Sequence, residues 1–400
     1  MARDREDARA TGASAVFHQA TTEEILAGRT ADVYFQRTLK ILEHAGLNPN
    51  VRAEFAVKGF PGGFPWAVFA GLEEVFALLA GRNVKLRGFP EGSMIRSYVP
   101  VFEIEGPYQE FAQLETAILG FVCQSSGVAT KAARVRHAAR EKTLISFGAR
   151  RMHPSVAPVI ERAAYIGGCD GVSVLKSAEL LGADPTGTMP HALILIVGDT
   201  LEATRLFDET IEEGVPRISL VDTFNDEKFE AIHVADALGE RLNGIRLDTP
   251  GSRRGDFSQI IEEVRWELEL RGHSHVQIFV SGGLDEDTVR QLYPLVDGFG
   301  VGTSIANAGT IDFSMDIVEI EGKPIAKRGK MSGAKQVWRD PETLRDTVRP
   351  LEADPPSPGF SPQLVELMVD GELTVDLPSA SELRERTLDQ LRIVGRELDS

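Results

Sequence analysis

Two glycine-bearing stretches, Ser281-Gly282-Gly283 and Gly300-Val301-Gly302-Thr303, each follow an apolar run and precede a helical pattern. Such turns expose backbone N–H groups beside a helix N-terminus, whose partial positive charge favours an anion. A phosphate fits both, whether that of a ribose, of FMN or of another sugar. Asp222 in LVDTF and Asp248 in RLDTP occupy equivalent places after neighbouring apolar runs. Two carboxylates so placed could hold ribose hydroxyls or a hydrated Mg²⁺, which takes one or two carboxylates plus phosphate oxygens. Each alone could equally cap the helix that follows it. FGARRMHP sets Arg150 beside Arg151, and a guanidinium grips a carboxylate or phosphate in a bidentate fork. Arg253 and Arg254 in DTPGSRRG repeat the device, with a solvated helix start as the rival reading. His191, in PTGTMPHALILIV, precedes an apolar run that reads as a strand, where a lone histidine is commonly an edge residue. Cys169 in GGCDG has no evident base beside it and reads as a small buried residue.

These residues need a scaffold that brings distant loops together. Between Leu144 and Asn307 short apolar segments (LISF, GVSV, LILIV, ISLV, GIRL, VQIFV, GFGV) alternate with stretches whose apolar residues return every three or four positions. The spacing, roughly 20 to 35 residues, is that of βα units in a parallel sheet, whose loops after the strands gather at one face. In a barrel that face holds the active site. Arg150, Arg151, Asp199, Asp222, Asp248, Gly282, Gly283 and Thr303 all fall just past a predicted strand.

A chain of 400 residues, 42% hydrophobic and 26% charged, is ordinary for a globular protein of two domains or a barrel with an added lobe. Its net charge of -17 argues against a general nucleic-acid binder, although basic clusters at Arg134–Arg151 and Lys323–Lys335 could hold an anionic small molecule. Cys123 and Cys169 are too few for a disulfide framework or a four-cysteine zinc site, which suits a reduced cytoplasm. No signal peptide, anchor or membrane-spanning apolar run is expected.

Four segments follow. Residues 1–15 read as a disordered tail, 16–120 as an N-terminal α/β lobe, 121–311 as the barrel, and 312–400 as a return to the first lobe. Thr21 or Thr22 starts the first helix with a capping pattern, and Ser379 or Ser381 caps the last. A break at Ser125, Ser126 and Gly127 divides a pair of helices that joins lobe to barrel. VEIEGKPIAKRGKMSGAKQVWRD reads as a β-hairpin with a basic turn.

In that order FPGGFPWAVFAGLEEV, ETAILGF, SGVATKAAR, SFGARRMHP, AAYIGGCDG, GTMPHAL, LVDTF, RLDTPGSRRG, IFVSGGLDE and FGVGT resemble nicotinate phosphoribosyltransferases of the archaeal and bacterial type, from about Thr30 to Lys335. The resemblance implies an α/β fold: an irregular TIM-like barrel of the type II phosphoribosyltransferases, with a second lobe from both chain ends. The implied reaction joins nicotinate to 5-phosphoribosyl 1-pyrophosphate, giving nicotinate mononucleotide and pyrophosphate in NAD salvage. A homodimer, possibly a higher oligomer, with active sites at the interface is implied as well.

Carried over by position, Arg150 takes the substrate carboxylate, Phe147 stacks on one face of the pyridine ring, and Tyr34 stacks on the other from the partner subunit. Asp170 corresponds to a base-ring contact. Arg246, Asp248 and Asp222 match residues near the ribose and pyrophosphate, while Gly282, Gly283, Gly302 and Thr303 match the 5′-phosphate cradle. His191 aligns with a histidine that ATP phosphorylates in relatives coupling ATP hydrolysis to synthesis. Charge placement, rather than the resemblance, makes Lys131, Arg253 and Arg254, with Mg²⁺ on Asp222 and Asp248, candidates for the pyrophosphate. With no cysteine after Cys169, zinc is not expected. The competing readings are a quinolinate or nicotinamide phosphoribosyltransferase, an FMN-dependent barrel, and a barrel that binds a ligand without catalysis.

Overall fold

The structure, a computed structural model, describes residues 17–253 and 255–398. The charged tail at 1–15 and the Arg254 assignment lie outside the described residues. Six parallel strands carry the cavity: β1 (Thr143–Ser146), β2 (Gly171–Val172), β3 (Ile218–Leu220), β4 (Gly244–Leu247), β5 (Gln277–Val280) and β6 (Gly298–Val301). Their order is β2-β1-β6-β5-β4-β3, each pair parallel. Between the edge strands β2 and β3 the chain runs through helices Leu175–Leu181, His191–Val197 and Thr200–Thr210, without a strand among the described residues. The barrel is therefore irregular and open on that side.

LILIV, expected as a strand, belongs to the helix His191–Val197. Its five apolar residues fit a strand as well as a helix, and periodicity cannot separate the two over so short a run. Only Ile194 among them is buried. Asp199 accordingly follows no strand; its carboxylate accepts from the Glu202 N–H at 2.8 Å and caps the next helix.

The second lobe is a seven-stranded antiparallel sheet built from both chain ends. Its order runs 323–324, 313–320, 50–57, 100–107, 85–88, 365–369, 372–373. The expected hairpin turns early, at Glu321 and Gly322, and Lys335–Arg339 joins a separate three-stranded sheet. The last helix, Ala380–Val394, starts at Ser379 with a capping box and does not end in the lobe. Leu383, Leu391 and Val394 bury in the barrel core.

One continuous 25-residue helix, Glu115–Ala139, links the two cores: Ile118 and Val122 sit in the lobe core, Val128 to Ala139 in the barrel core. No break occurs at Ser125–Gly127, because those small residues serve contact rather than interruption. The Ser126 hydroxyl accepts from the Ala70 N–H at 3.0 Å and donates to the Ala70 carbonyl at 3.2 Å. A Cβ on Gly127 would collide with the Gly309 carbonyl. Replacing Ser126 by an apolar residue would strand a buried backbone pair, at a cost of about 1–3 kcal/mol.

Candidate active site

A cavity of about 710 Å³ opens where the carboxyl ends of the six strands converge. Phe147, Arg150, His191, Arg246, Asp248, Gly282, Gly283, Gly302 and Thr303 all line it, together with Arg151, Ser173, Val174, Thr188, Met189 and Ser281. Five strand ends supply most of these residues and the start of the helix His191–Val197, with the loop before it, supplies the rest, so the parallel register assembles much of the site.

The floor is a row of ionisable groups. His191 Nε2 lies 3.1 Å from Asp222 Oδ1, and its Nδ1 lies 4.0 Å from Asp248 Oδ2. Asp222 is almost fully enclosed, its side chain 1% exposed, and its second oxygen has no partner among the described residues. Burial pushes the Asp222 carboxyl above its ordinary range, the His191 charge pulls it back, and Asp248 adds to the rise. Asp248 is fixed from the other side, where the Ser281 hydroxyl donates to its Oδ1 at 3.0 Å.

Gly282 must be glycine here. Its φ of 86° lies in the left-handed region, and a Cβ would stand 2.7 Å from Asp248 Oδ1. Gly283, with φ 70°, continues the turn, and Gly302 caps the short helix Thr303–Ala306, whose Thr303 also faces the cavity. Backbone N–H groups at two such turns make a cradle for an anion.

The opposite wall is aromatic and cationic. Phe147 is held by a bond from its N–H to the Val301 carbonyl at 2.9 Å, and its ring occupies the space that a side chain on Gly300 would fill. The Arg246 guanidinium sits 6.0 Å from that ring centroid. It donates to Thr188 Oγ1 at 2.9 Å and to the Met189 carbonyl at 3.1 Å, while its Nε is buried without a partner among the described residues. Burial lowers its affinity for the proton, and the charge of Arg150 acts in the same direction. Two neighbouring guanidiniums beside a phenyl ring suit a planar ring bearing an anionic group.

Residues 128–316 match the C-terminal domain of quinolinate phosphoribosyl transferase and residues 32–126 its N-terminal domain. A nicotinate phosphoribosyltransferase of Mycobacterium tuberculosis is 31% identical over 332 residues, covering 78% of this chain and 69% of the relative. The chain belongs to the nicotinate phosphoribosyltransferase family. A second member, from Bacillus subtilis, is 32% identical over 224 residues, covering 54% of this chain and 45% of that protein. Among solved structures, nicotinate-nucleotide pyrophosphorylase from Pyrococcus furiosus superposes with a TM-score of 0.92 at 50% identity, over 96% of this chain and 99% of that one. Human nicotinic acid phosphoribosyltransferase shares the fold, with a TM-score of 0.72 at 20% identity over 90% and 93% of the chains. The irregular barrel with its two-ended lobe is thus the type II phosphoribosyltransferase fold of the family.

Several of the expected site residues lie elsewhere. Asp170 does not meet the cavity that holds Phe147; it precedes β2 at the opposite end of the barrel. There it forms ion pairs with Arg136 and Arg384 and accepts from the Leu144 N–H at 2.8 Å. The reason is polarity along the chain: GGCDG ends before its strand, whereas the other motifs follow theirs. Lys131 does not line the cavity and pairs with Glu286 at 3.5 Å, alongside Arg134. Arg253 is exposed in a turn and does not line it either. Tyr34 is 54% exposed on the helix Val33–His44.

Among the described residues no group of three metal-ligating side chains exists. Mg²⁺ needs fewer, since phosphate oxygens and water complete its shell. Asp248, with 24% of its side chain exposed, fits such a role, and the unpartnered Asp222 oxygen stands behind it. Sequence reasoning missed Ser281, Thr188 and Met189, which orient the charged groups, and Glu161. That buried carboxylate accepts from Ser173 N–H, Ser173 Oγ and Val174 N–H at 3.1, 2.8 and 2.9 Å, fixing the cavity wall after β2. The serine in SGG was a local signal for the first. Nothing local marks Glu161.

Proposed function

We propose that the chain transfers the phosphoribosyl group of 5-phosphoribosyl 1-pyrophosphate to nicotinate, forming nicotinate mononucleotide and pyrophosphate. The observation that carries this reading is one cavity in which a glycine cradle, a phenyl ring with two arginines, and the Asp222–His191–Asp248 row face each other. Membership in the nicotinate phosphoribosyltransferase family points to the same reaction.

The reaction asks for position and charge more than for covalent help. As the bond from the ribose to pyrophosphate breaks, positive charge grows on the ribosyl carbon, and the pyridine nitrogen must already face it. Gly282, Gly283, Gly302 and Thr303 hold the 5′-phosphate; Phe147 holds the ring flat; Arg150, with Arg246 behind it, takes the carboxylate. Asp248 and Asp222 lie on the ribose side, where their negative charge opposes that of the developing cation. Mg²⁺, when bound on Asp248 and Asp222, would neutralise the departing pyrophosphate.

His191 is the acceptor for an ATP phosphoryl group in this reading. Its contact with Asp222 orients the imidazole, and a phosphate there would add negative charge beside the leaving group. A homodimer completes the site, with Tyr34 of one copy closing the ring pocket of the other. The exposed Val33, Tyr34 and Ile41 on one helix support an apolar contact with a second copy.

Incubation with nicotinate, phosphoribosyl pyrophosphate, Mg²⁺ and ATP, followed by mass analysis, tests the proposal. Nicotinate mononucleotide is expected, with His191→Ala retaining slow synthesis and losing ATP stimulation. Absence of that product from the native chain overturns the activity, and unchanged ATP stimulation in His191→Ala overturns the phosphohistidine.

A further inference from the structure

A second cavity, of about 560 Å³, opens at the other end of the barrel. Five arginines line it (Arg136, Arg140, Arg290, Arg384 and Arg392) against two carboxylates, Glu141 and Asp170, in a chain whose net charge is -17. We propose that this cavity binds a phosphate-bearing nucleotide as a regulator of the reaction at the opposite mouth.

The site divides into a fixed and a free part. Arg136 is anchored: it donates to the carbonyls of Gly168 at 2.7 Å, Arg140 at 2.9 Å and Lys142 at 2.7 Å, and pairs with Asp170. Arg384 closes the same carboxylate from the C-terminal helix. Arg140 differs. It caps the long helix with a φ of 50°, and its guanidinium lies 4.8 Å over the Tyr293 ring; among the described residues no carboxylate forms an ion pair with it. Arg392 pairs only with Asp389, an exposed carboxylate one helical turn away, a contact worth about 0–1 kcal/mol that a polyphosphate can replace; Arg290 pairs with the exposed Asp287 and with Glu286, which is buried. Leu388, Leu391 and Ala138 supply an apolar wall for a base and ribose. The volume lies within the roughly 300–1,000 Å³ of small-molecule sites.

Two short strands connect the cavities. Asp170 precedes β2, whose far end leads to Ser173 and Val174 in the reaction cavity; it also receives the Leu144 N–H of β1, which leads to Phe147. A ligand that draws Arg384 away from Asp170 therefore acts on elements two to four residues from the reacting groups.

Hydrogen exchange read by mass spectrometry on the full chain, with ATP as probe, distinguishes this site from the reaction cavity by location. Protection is expected in peptides spanning 136–142 and 384–392, separately from any at 281–285. The double variant Arg140→Gln, Arg392→Gln should lose it at least tenfold in ATP concentration while its basal transfer rate stays within twofold of native. Pyrophosphate should need about tenfold more than ATP, since it leaves the apolar wall empty. Protection confined to the reaction cavity in the native chain overturns the proposal even if the variant fails to fold. So does pocket protection that survives the double substitution, or pyrophosphate acting at the same concentration as ATP.

Discussion

His191 and Asp222 meet at 3.1 Å across the floor of the cavity, with the carboxylate enclosed and its second oxygen unpartnered among the described residues. That arrangement stores an electrostatic cost. A carboxyl whose folded pKa is raised is fully tolerated below its ordinary value and loses stability as pH rises through the raised one. Asp222→Asn should therefore raise the Tm at pH 8 relative to native, with no gain at pH 3. Its transfer rate should fall by about 10²-fold or more. A thermal melt paired with an initial-rate assay checks both, and a lower Tm at pH 8 would contradict the burial argument.

Gly282 and Asp248 are in near contact. Alanine at 282 would place its Cβ 2.7 Å from Asp248 Oδ1 and hold a left-handed conformation costing roughly 1–2 kcal/mol. The KM for phosphoribosyl pyrophosphate should rise about tenfold or more, because the cradle and the carboxylate move together. Steady-state kinetics decide it; an unchanged KM would remove Gly282 from the phosphate site.

Outside the cavity, burial pushes the Glu74 carboxyl up to about 7 despite the pull of Arg162. Its penalty is absent below the ordinary carboxylate value, grows as pH rises toward 7, and then stays constant. Glu74→Gln should stabilise the chain at pH 8 and leave it unchanged at pH 4. Equal Tm shifts at both pH values would refute the titration.

If Tyr34 serves the partner's cavity, Tyr34→Ala and Asp248→Asn should each be impaired as homodimers. Mixing them would restore roughly a quarter of native activity through one intact site per mixed dimer. No recovery after verified subunit exchange would place Tyr34 outside the shared site.

Much of this site was readable because five of the six strand ends carry their signature immediately after an apolar run. LVDTF, RLDTP, IFVSGG and FGVGT each deliver a residue to the cavity or its floor. His191 was found by likeness, not by local structure, since HALILIV fits two periods and the tertiary setting chose the helix. Asp170 was expected at the ring pocket by likeness alone, whereas its place before β2 puts it at the opposite end of the barrel from the residues that follow their strands. Ser126 and Gly127 read as a break although burial makes them a contact surface. Glu161 orients the cavity wall from a separate helix, a relation that exists only after folding.

The most direct test of the central claim is kcat/KM for nicotinate, nicotinamide and quinolinate on the same preparation. Arg150 and Arg246 beside Phe147 predict a preference for nicotinate of about 10-fold or more over the amide, which leaves the two guanidiniums without an anionic partner. Quinolinate, with a second carboxylate to desolvate, should also turn over poorly. Efficient conversion of quinolinate with release of CO₂, or equal rates for nicotinate and nicotinamide, would contradict the account.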